Sequence, residues 1–198
     1  DVTAVTDSAE NRTQQVGGER LVRVWSKFTF PGRHGKYSNF IWDHRHFSGT
    51  DYDENNRDQG LIYRFTGNNW AKDTDPEKGN FDYLMGMNVQ MSNPEVAEEI
   101  RKWLLWYIRE TGIDGLRLDA VKHISFSFYK DLLQNVRREL GTGLPAVGEY
   151  WNADLGRLLY YLDQVNGEMS LFDVALHYQF FNASQAGGEY DLRHIFEN

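Results

Sequence analysis

Asp119 and Glu149 each close a short run of strand-forming residues, Ile113-Asp-Gly-Leu-Arg-Leu-Asp119 and Leu144-Pro-Ala-Val-Gly-Glu149. If the two runs are neighbouring parallel strands, both acids stand at the same sheet edge, where α/β active sites form. Adjacent strands lie about 4.8 Å apart, which puts the carboxylates about 5 to 6 Å from each other. A retaining glycosidase needs a separation of about 5–5.5 Å, one carboxylate attacking the sugar carbon while the other protonates the leaving oxygen. Acids also end strands for purely structural reasons, so the spacing permits this chemistry without requiring it.

Arg117 narrows the reading. Two positions before Asp119, it projects from the same strand face, and a guanidinium there favours the ionised form a nucleophile needs. Glu149 has no basic residue in its own strand, an environment that suits a proton donor. The bland alternative for Arg117 and Asp119 is a strand-end ion pair. Lys122 and His123 follow in the loop above Asp119 and are placed to donate to hydroxyl groups, although such a pair is commonly just solvated loop. Tyr150 and Trp151 follow Glu149 and offer either a stacking wall for sugar rings or a cover over the sheet edge.

The elements that position these groups have two textures. Residues 1 to about 92 show almost no helical periodicity. Short strand candidates, Leu21-Val-Arg-Val-Trp25 and Leu61-Ile-Tyr-Arg-Phe65, stand among turn-rich stretches such as Gly17-Gly18, Pro31-Gly32 and Gly67-Asn-Asn69. This predicts an irregular β-rich unit with long loops. Trp25, Phe28, Phe30, Tyr37, Phe40, Trp42 and Phe47 crowd into one stretch of it, as a core cluster or as a platform for sugar rings.

From Asn93 the pattern becomes helical. Asn93 is a good N-cap, Pro94 suits the first helical position, and Glu95 complements the helix dipole. Val96, Ile100, Trp103, Leu104, Tyr107 and Ile108 follow a 3.6 period up to Gly112. A second helix is expected from about Ser127 to Gly141, a third from about Asp154 to Leu162, and a third strand from about Leu171 to Ala175. Strand and helix alternating at this spacing indicate βα units and a parallel sheet. About three strands are too few to close an eight-stranded barrel.

Composition sets outer bounds. Among 198 residues, 40% are hydrophobic and 15% aromatic, enough for a packed core and unlike a disordered chain. A net charge of −8 argues against nucleic acid or an anionic membrane as main partner, since phosphate binding needs a basic face. No apolar run is long enough for a membrane span. Cysteine is absent, which excludes disulfides and thiolate metal sites. The compartment stays open.

The motifs resemble a known family. Gly115-Leu-Arg-Leu-Asp-Ala-Val-Lys-His123 is similar to the strand-four motif of the α-amylase family of glycoside hydrolases, and Ala146-Val-Gly-Glu-Tyr-Trp151 to its strand-five motif. The similarity continues through Leu171-Phe-Asp-Val-Ala-Leu-His-Tyr178, Phe28-Thr-Phe-Pro-Gly-Arg33 and Asn80-Phe-Asp-Tyr-Leu-Met85, and is strongest to bacterial liquefying and cytoplasmic members. The resemblance implies an α/β fold, a partial (β/α)8 TIM barrel running from about helix 3 to strand 6 over residues 93–198. Residues 1–92 would be the inserted domain B. It implies Asp119 as nucleophile, Glu149 as acid/base, Arg117 as the nucleophile's partner, and Lys122 and His123 as substrate contacts; Trp151 remains the stacking candidate for sugar rings. The implied reaction is endo-acting hydrolysis of α-1,4-glucosidic bonds in starch or glycogen, with retention. The family's third acid, near strand seven, and its strand-three residues fall outside these 198 positions, so this stretch alone is expected to be incomplete as an enzyme.

The resemblance also implies one calcium where the insertion meets the barrel, with Asp82, Asn88 and the His123 carbonyl as ligands. Asn88 stands where Asp is usual. Ser48, Ala71, Gln90 and Ser92 replace the aspartates that hold an additional metal cluster in some relatives, so no such cluster is expected. Three competing readings remain: a related glucanase or transglycosylase, a catalytically silent carbohydrate-binding relative, and a metal-dependent hydrolase using Asp119, His123 and Glu149 as ligands.

Overall fold

A computed structural model describes residues 1–57 and 60–197. Strands β1 (Val2–Asp7), β2 (Gln15–Val22), β3 (Phe47–Thr50), β4 (Ile62–Phe65) and β5 (Met87–Val89) form one sheet of order β2-β1-β4-β3-β5. All its pairings are antiparallel. Ala4, Val22, Phe47, Tyr63 and Phe65 form its buried core. Inward and outward residues alternate along β4 less than the period-2 rule suggests, because Ile62 and Tyr63 are both covered, Ile62 packing with Trp70 and Tyr83 in a second small cluster.

The remainder alternates helix and strand: α1 (Pro94–Thr111), β6 (Leu116–Leu118), α2 (Phe126–Leu140), β7 (Ala146–Gly148), α3 (Leu155–Gln164), β8 (Ser170–Leu171) and α4 (Val174–Ala186). β6, β7 and β8 pair in parallel in that order. Helices α1, α2 and α3 bury Leu104, Leu105, Ile108, Leu133, Val136 and Leu158 in the core that also contains Tyr150 and Tyr161. Capping sets the helix limits. The Asn93 side chain accepts from Glu95 N and Gly112 closes α1 at φ 65°. Ser125 caps α2, Gly141 closes it at φ 69°, and Asp154 caps α3. Each cap satisfies backbone groups that the helix ends would otherwise leave without partners.

Several local expectations need correction. The first strand pair is β1 with β2, and β2 stops at Val22, so Arg23, Val24 and Trp25 leave the sheet. Arg23 N donates instead to Asp53 Oδ1 (3.0 Å). Gly17-Gly18 lies inside β2 rather than in a turn. At Gly17, which pairs with Thr6 beside a register shift, an added Cβ would sit 3.0 Å from Thr6 Cβ. Val174 and Ala175 belong to α4, because the Asp173 carboxylate accepts from Leu176 N and starts the helix there. The aromatic stretch divides. Phe28, Trp42 and Phe47 pack with the first sheet, whereas Trp25, Phe30 and Tyr37 are exposed. On α1 the periodic positions Trp103 and Tyr107 are also exposed, and Leu105 is buried in their stead.

Residues 73–82 stitch the first sheet's chain to the βα units. Asp73 Oδ2 accepts from Ser125 Oγ (2.9 Å), Ser127 N (2.8 Å) and Ser127 Oγ (2.6 Å), anchoring the N-terminus of α2. The Asp73 carbonyl accepts from Phe126 N, and Asp75 N donates to Lys122 O. Three bonds to one carboxylate hold its pKa below the ordinary aspartate value despite the desolvation that opposes them. Asp73→Ala removes all three and leaves Ser127 N and the two serine hydroxyls with only each other in place of the carboxylate. It is expected to cost about 1–3 kcal/mol, read as a lower urea midpoint with unchanged denaturant dependence.

Candidate active site

The parallel register carries the two acids to one edge. Leu116 pairs with Ala146, Arg117 with Val147 and Leu118 with Gly148, and Gly148 pairs with Leu171. One residue beyond these paired ends stand Asp119, Glu149 and Phe172. Glu149 N donates to Leu118 O (2.8 Å), extending the ladder by one bond. The chain after Asp119 then bends sharply: Ala120 takes φ 48°, a left-handed conformation that costs an L-residue about 1–2 kcal/mol. The bend turns Val121 N onto Glu149 O (3.1 Å) and Ala120 N toward Glu149 Oε2 (3.4 Å).

Arg117 stands between the acids. Its Nη2 lies 3.2 Å from Asp119 Oδ1 and 3.3 Å from Glu149 Oε2. Both oxygens touch one nitrogen, so their separation cannot exceed about 6.5 Å, the two distances end to end. Carboxyl groups this close can flank a single glycosidic bond. Glu149 has no basic residue in its own strand, but the cation of the adjacent strand reaches it, so the uncompensated environment expected there is not the one it has. The guanidinium carbon also lies 5.6 Å from the Phe172 ring centroid, a third strand end contributing to one site. The Asp119 side chain is 78% exposed and that of Glu149 is 25% exposed, so the nucleophile candidate faces solvent and the other acid is mostly covered.

The surrounding residues separate by direction. Trp151 is exposed and fixed by its indole N–H, which donates to Tyr178 Oη (3.2 Å), with the His177 ring 5.2 Å away. Tyr150 turns the other way and is buried at 1% exposure, its hydroxyl donating to Asp75. Lys122 Nζ pairs with Glu77 Oε2 (2.9 Å) and lies over the Phe81 ring. His123 is buried, its Nδ1 donates to Phe81 O (2.8 Å), and burial holds its pKa below the usual histidine value. The structure thus brings Asp119, Glu149 and Arg117 together and sets Lys122 and His123 against residues 77–81. Asp75, Phe172 and Tyr178 escaped the sequence reading. Strand alternation alone could have placed Tyr150 inward, since it follows an outward Glu149.

Asp82 is a separate polar centre. It is 5% exposed, accepts from Ala71 N (3.1 Å) and Asn88 Nδ2 (2.8 Å), and forms no ion pair among the described residues. Burial lifts its pKa to about 7. No group of three or more His, Cys, Asp or Glu side chains converges as a metal site among the described residues, and no described helix is long and apolar enough to cross a membrane.

The family described as "Alpha amylase, catalytic domain" matches residues 29–195. The chain is 45% identical over 197 residues to a glucan 1,4-alpha-maltohexaosidase of Bacillus sp. (strain 707), covering 98% of this chain and 38% of that protein. It is 46% identical over 198 residues to an alpha-amylase of Bacillus licheniformis, covering 100% and 38%. Against a cytoplasmic alpha-amylase of Escherichia coli it is 43% identical over 194 residues, covering 96% and 39%. It therefore spans a little over a third of the length of these relatives.

Gly148, directly before Glu149, has no room for a side chain: an added Cβ would meet Met169 Sδ at 2.7 Å, Leu171 Cδ2 at 3.1 Å and Val121 Cγ2 at 3.2 Å. Gly148→Ala is expected to cost about 1–3 kcal/mol by overpacking. Gly143→Ala, where a Cβ meets nothing within 4 Å, serves as the control in the same thermal melts and should change little.

Proposed function

The chain belongs to the α-amylase family of glycoside hydrolases, a family of TIM-barrel-type fold, and we propose that it carries the nucleophile and the acid/base of an endo-acting hydrolase of α-1,4-glucosidic bonds in starch or glycogen. The observation that supports this most directly is the pair of carboxylates on one arginine nitrogen at the ends of paired parallel strands. In this reading residues 93–198 are the portion of the (β/α)8 barrel from about helix 3 to strand 6, and residues 1–92 are domain B.

The geometry suggests the following sequence of events. Asp119, ionised beside Arg117, attacks the anomeric carbon as Glu149 donates a proton to the departing glycosidic oxygen. A glycosyl ester on Asp119 results. Glu149, now a carboxylate, takes a proton from water, which attacks the same carbon from the face the leaving group vacated, so the configuration is retained. Arg117 opposes the repulsion between the two carboxylates and orients both. Trp151, exposed and hydrogen-bonded to Tyr178, offers a rigid face on which a glucose ring stacks. Lys122 and His123 would contribute to substrate binding through the loop they brace against residues 77–81.

We read the centre at Asp82 as a calcium site. A buried carboxylate without a cation, its pKa raised by burial, is what a hard divalent ion compensates. Asp82 would supply its carboxylate, Asn88 its amide oxygen and His123 its main-chain carbonyl. The ion would supply charge compensation for the buried carboxylate. The protein's own residues carry the hydrolysis.

The Bacillus sp. relative is named for release of maltohexaose, which favours a second reading in which the products have one preferred length. Chain-length analysis of products from soluble starch separates the two.

Asp119→Asn and Glu149→Gln in the full-length protein are each expected to reduce starch hydrolysis at least 10³-fold, by order of magnitude, with the melting temperature within a few degrees of wild type. Initial products read by proton NMR should be α-anomers; β-anomers, or near-normal turnover in either variant, would refute the assignment. Excess chelator should lower the melting temperature of the full-length wild type. Bound ligand at a hundredfold excess over its Kd is worth about 2.7 kcal/mol, and Asp82→Asn should remove most of that sensitivity. A chelator response equal in both proteins would exclude Asp82 as a ligand.

A further inference from the structure

Glu149 is fixed on its carboxylate side by Arg117 and Ala120 N, and through its main chain by Leu118 O and Val121 N. None of these holds the residue that follows. Alternation along the strand sends Tyr150 into the core, with its ring 5.0 Å from that of Tyr161. A phenol hydroxyl at that depth needs an acceptor, and it finds one in Asp75 Oδ2.

Asp75 is itself 1% exposed and tied on every side. Its other carboxylate oxygen accepts from Glu77 N (2.8 Å), its carbonyl accepts from Phe81 N (2.9 Å), and its own N–H donates to Lys122 O (3.0 Å). Lys122 lies three residues beyond Asp119. One residue from the chain of the first sheet therefore holds both the loop that follows Asp119 and the residue that follows Glu149.

We propose that Asp75 and Tyr150 are positioning residues for Glu149, the Asp75–Tyr150 hydrogen bond setting the angle at which the acid presents its proton to the leaving oxygen. This deepens the function proposed above and rests on Glu149 being the acid/base. Tyr150 cannot shift without dragging the Glu149 peptide, and Asp75 cannot yield without breaking its bond to Lys122. Proton delivery is sensitive to such displacement, because a misplacement of about 1 Å costs roughly a hundredfold in rate.

The test separates proton donation from general integrity. Cleavage of a maltooligosaccharide needs a proton on the departing sugar oxygen. Cleavage of an α-maltosyl fluoride does not: the C1–F bond breaks as the ester to Asp119 forms, and fluoride leaves as the anion. The value of kcat/KM reports this first bond-breaking step for both substrates. In the full-length protein, Tyr150→Phe and Asp75→Val are each expected to lower kcat/KM on the oligosaccharide by roughly 10- to 100-fold. On the fluoride the loss should be within about threefold. Equal losses on both substrates, or no loss on the oligosaccharide, in variants whose circular dichroism matches wild type, would overturn the proposal. Should Tyr150→Phe fail to fold, the same comparison on Asp75→Val decides, since that change keeps a side chain of similar size and removes both acceptor oxygens. Wild-type protein that cleaves neither substrate would overturn the functional reading itself, and this proposal with it.

Discussion

Two carboxylates brought to within a sugar bond's reach of each other repel, and the site depends on how that repulsion is met. Like charges a few ångströms apart repel, less where water enters. Arg117 stands on the strand that bears one acid and reaches across to the other, within 3.3 Å of both. The parallel pairing of β6 with β7 makes this possible: Arg117 lies opposite Val147, so two residues further on the acids emerge side by side. A slip of one residue would turn one of them into the core, because side chains alternate faces along a strand.

That register is held from outside the three-stranded sheet. The stretch from Asp73 to Asp82 leaves the antiparallel sheet, caps α2 through Asp73, receives the Tyr150 hydroxyl through Asp75, and braces Lys122 and His123 through Glu77 and Phe81. The same short segment contains the buried carboxylate of Asp82. Such a segment has no periodicity of its own to hold it rigid. Its order comes from buried polar contacts, each of which is costly to leave unmade. The strand ends and the segment thus depend on each other: the loops after Asp119 and Glu149 need its acceptors, and its carboxylates need the donors those loops supply.

Legibility in the sequence followed from how local each cause was. Helix α1 was readable from cap to cap, because Asn93, Pro94 and Gly112 act within a turn of the residues they limit. Helices α2 and α3 were placed to within about two residues for the same reason. The first sheet was barely readable. Its strand β1 bears no strong signal of its own, and β2 carries Gly17-Gly18, which reads as a turn and is tolerated because the partner Thr6 crowds that position. The division of the aromatic stretch into packed Phe28, Trp42 and Phe47 and exposed Trp25, Phe30 and Tyr37 likewise depends on where the backbone turns, which residue type does not encode.

At the candidate site the same boundary holds. Residue order placed Asp119 and Glu149 at the ends of two strands with Arg117 beside the first, because a period of two and a βα repeat are local properties of the chain; it assigned them no role by itself. Contact between Arg117 and Glu149, thirty-two positions apart, required the two strands to be neighbours in register. The burial of Tyr150 against Asp75, seventy-five positions away, required the segment between β4 and β5 to fold against the βα units. Contacts at such separations arise from packing, where a buried donor takes whichever acceptor the whole fold delivers to it, and no spacing within the chain names that acceptor in advance.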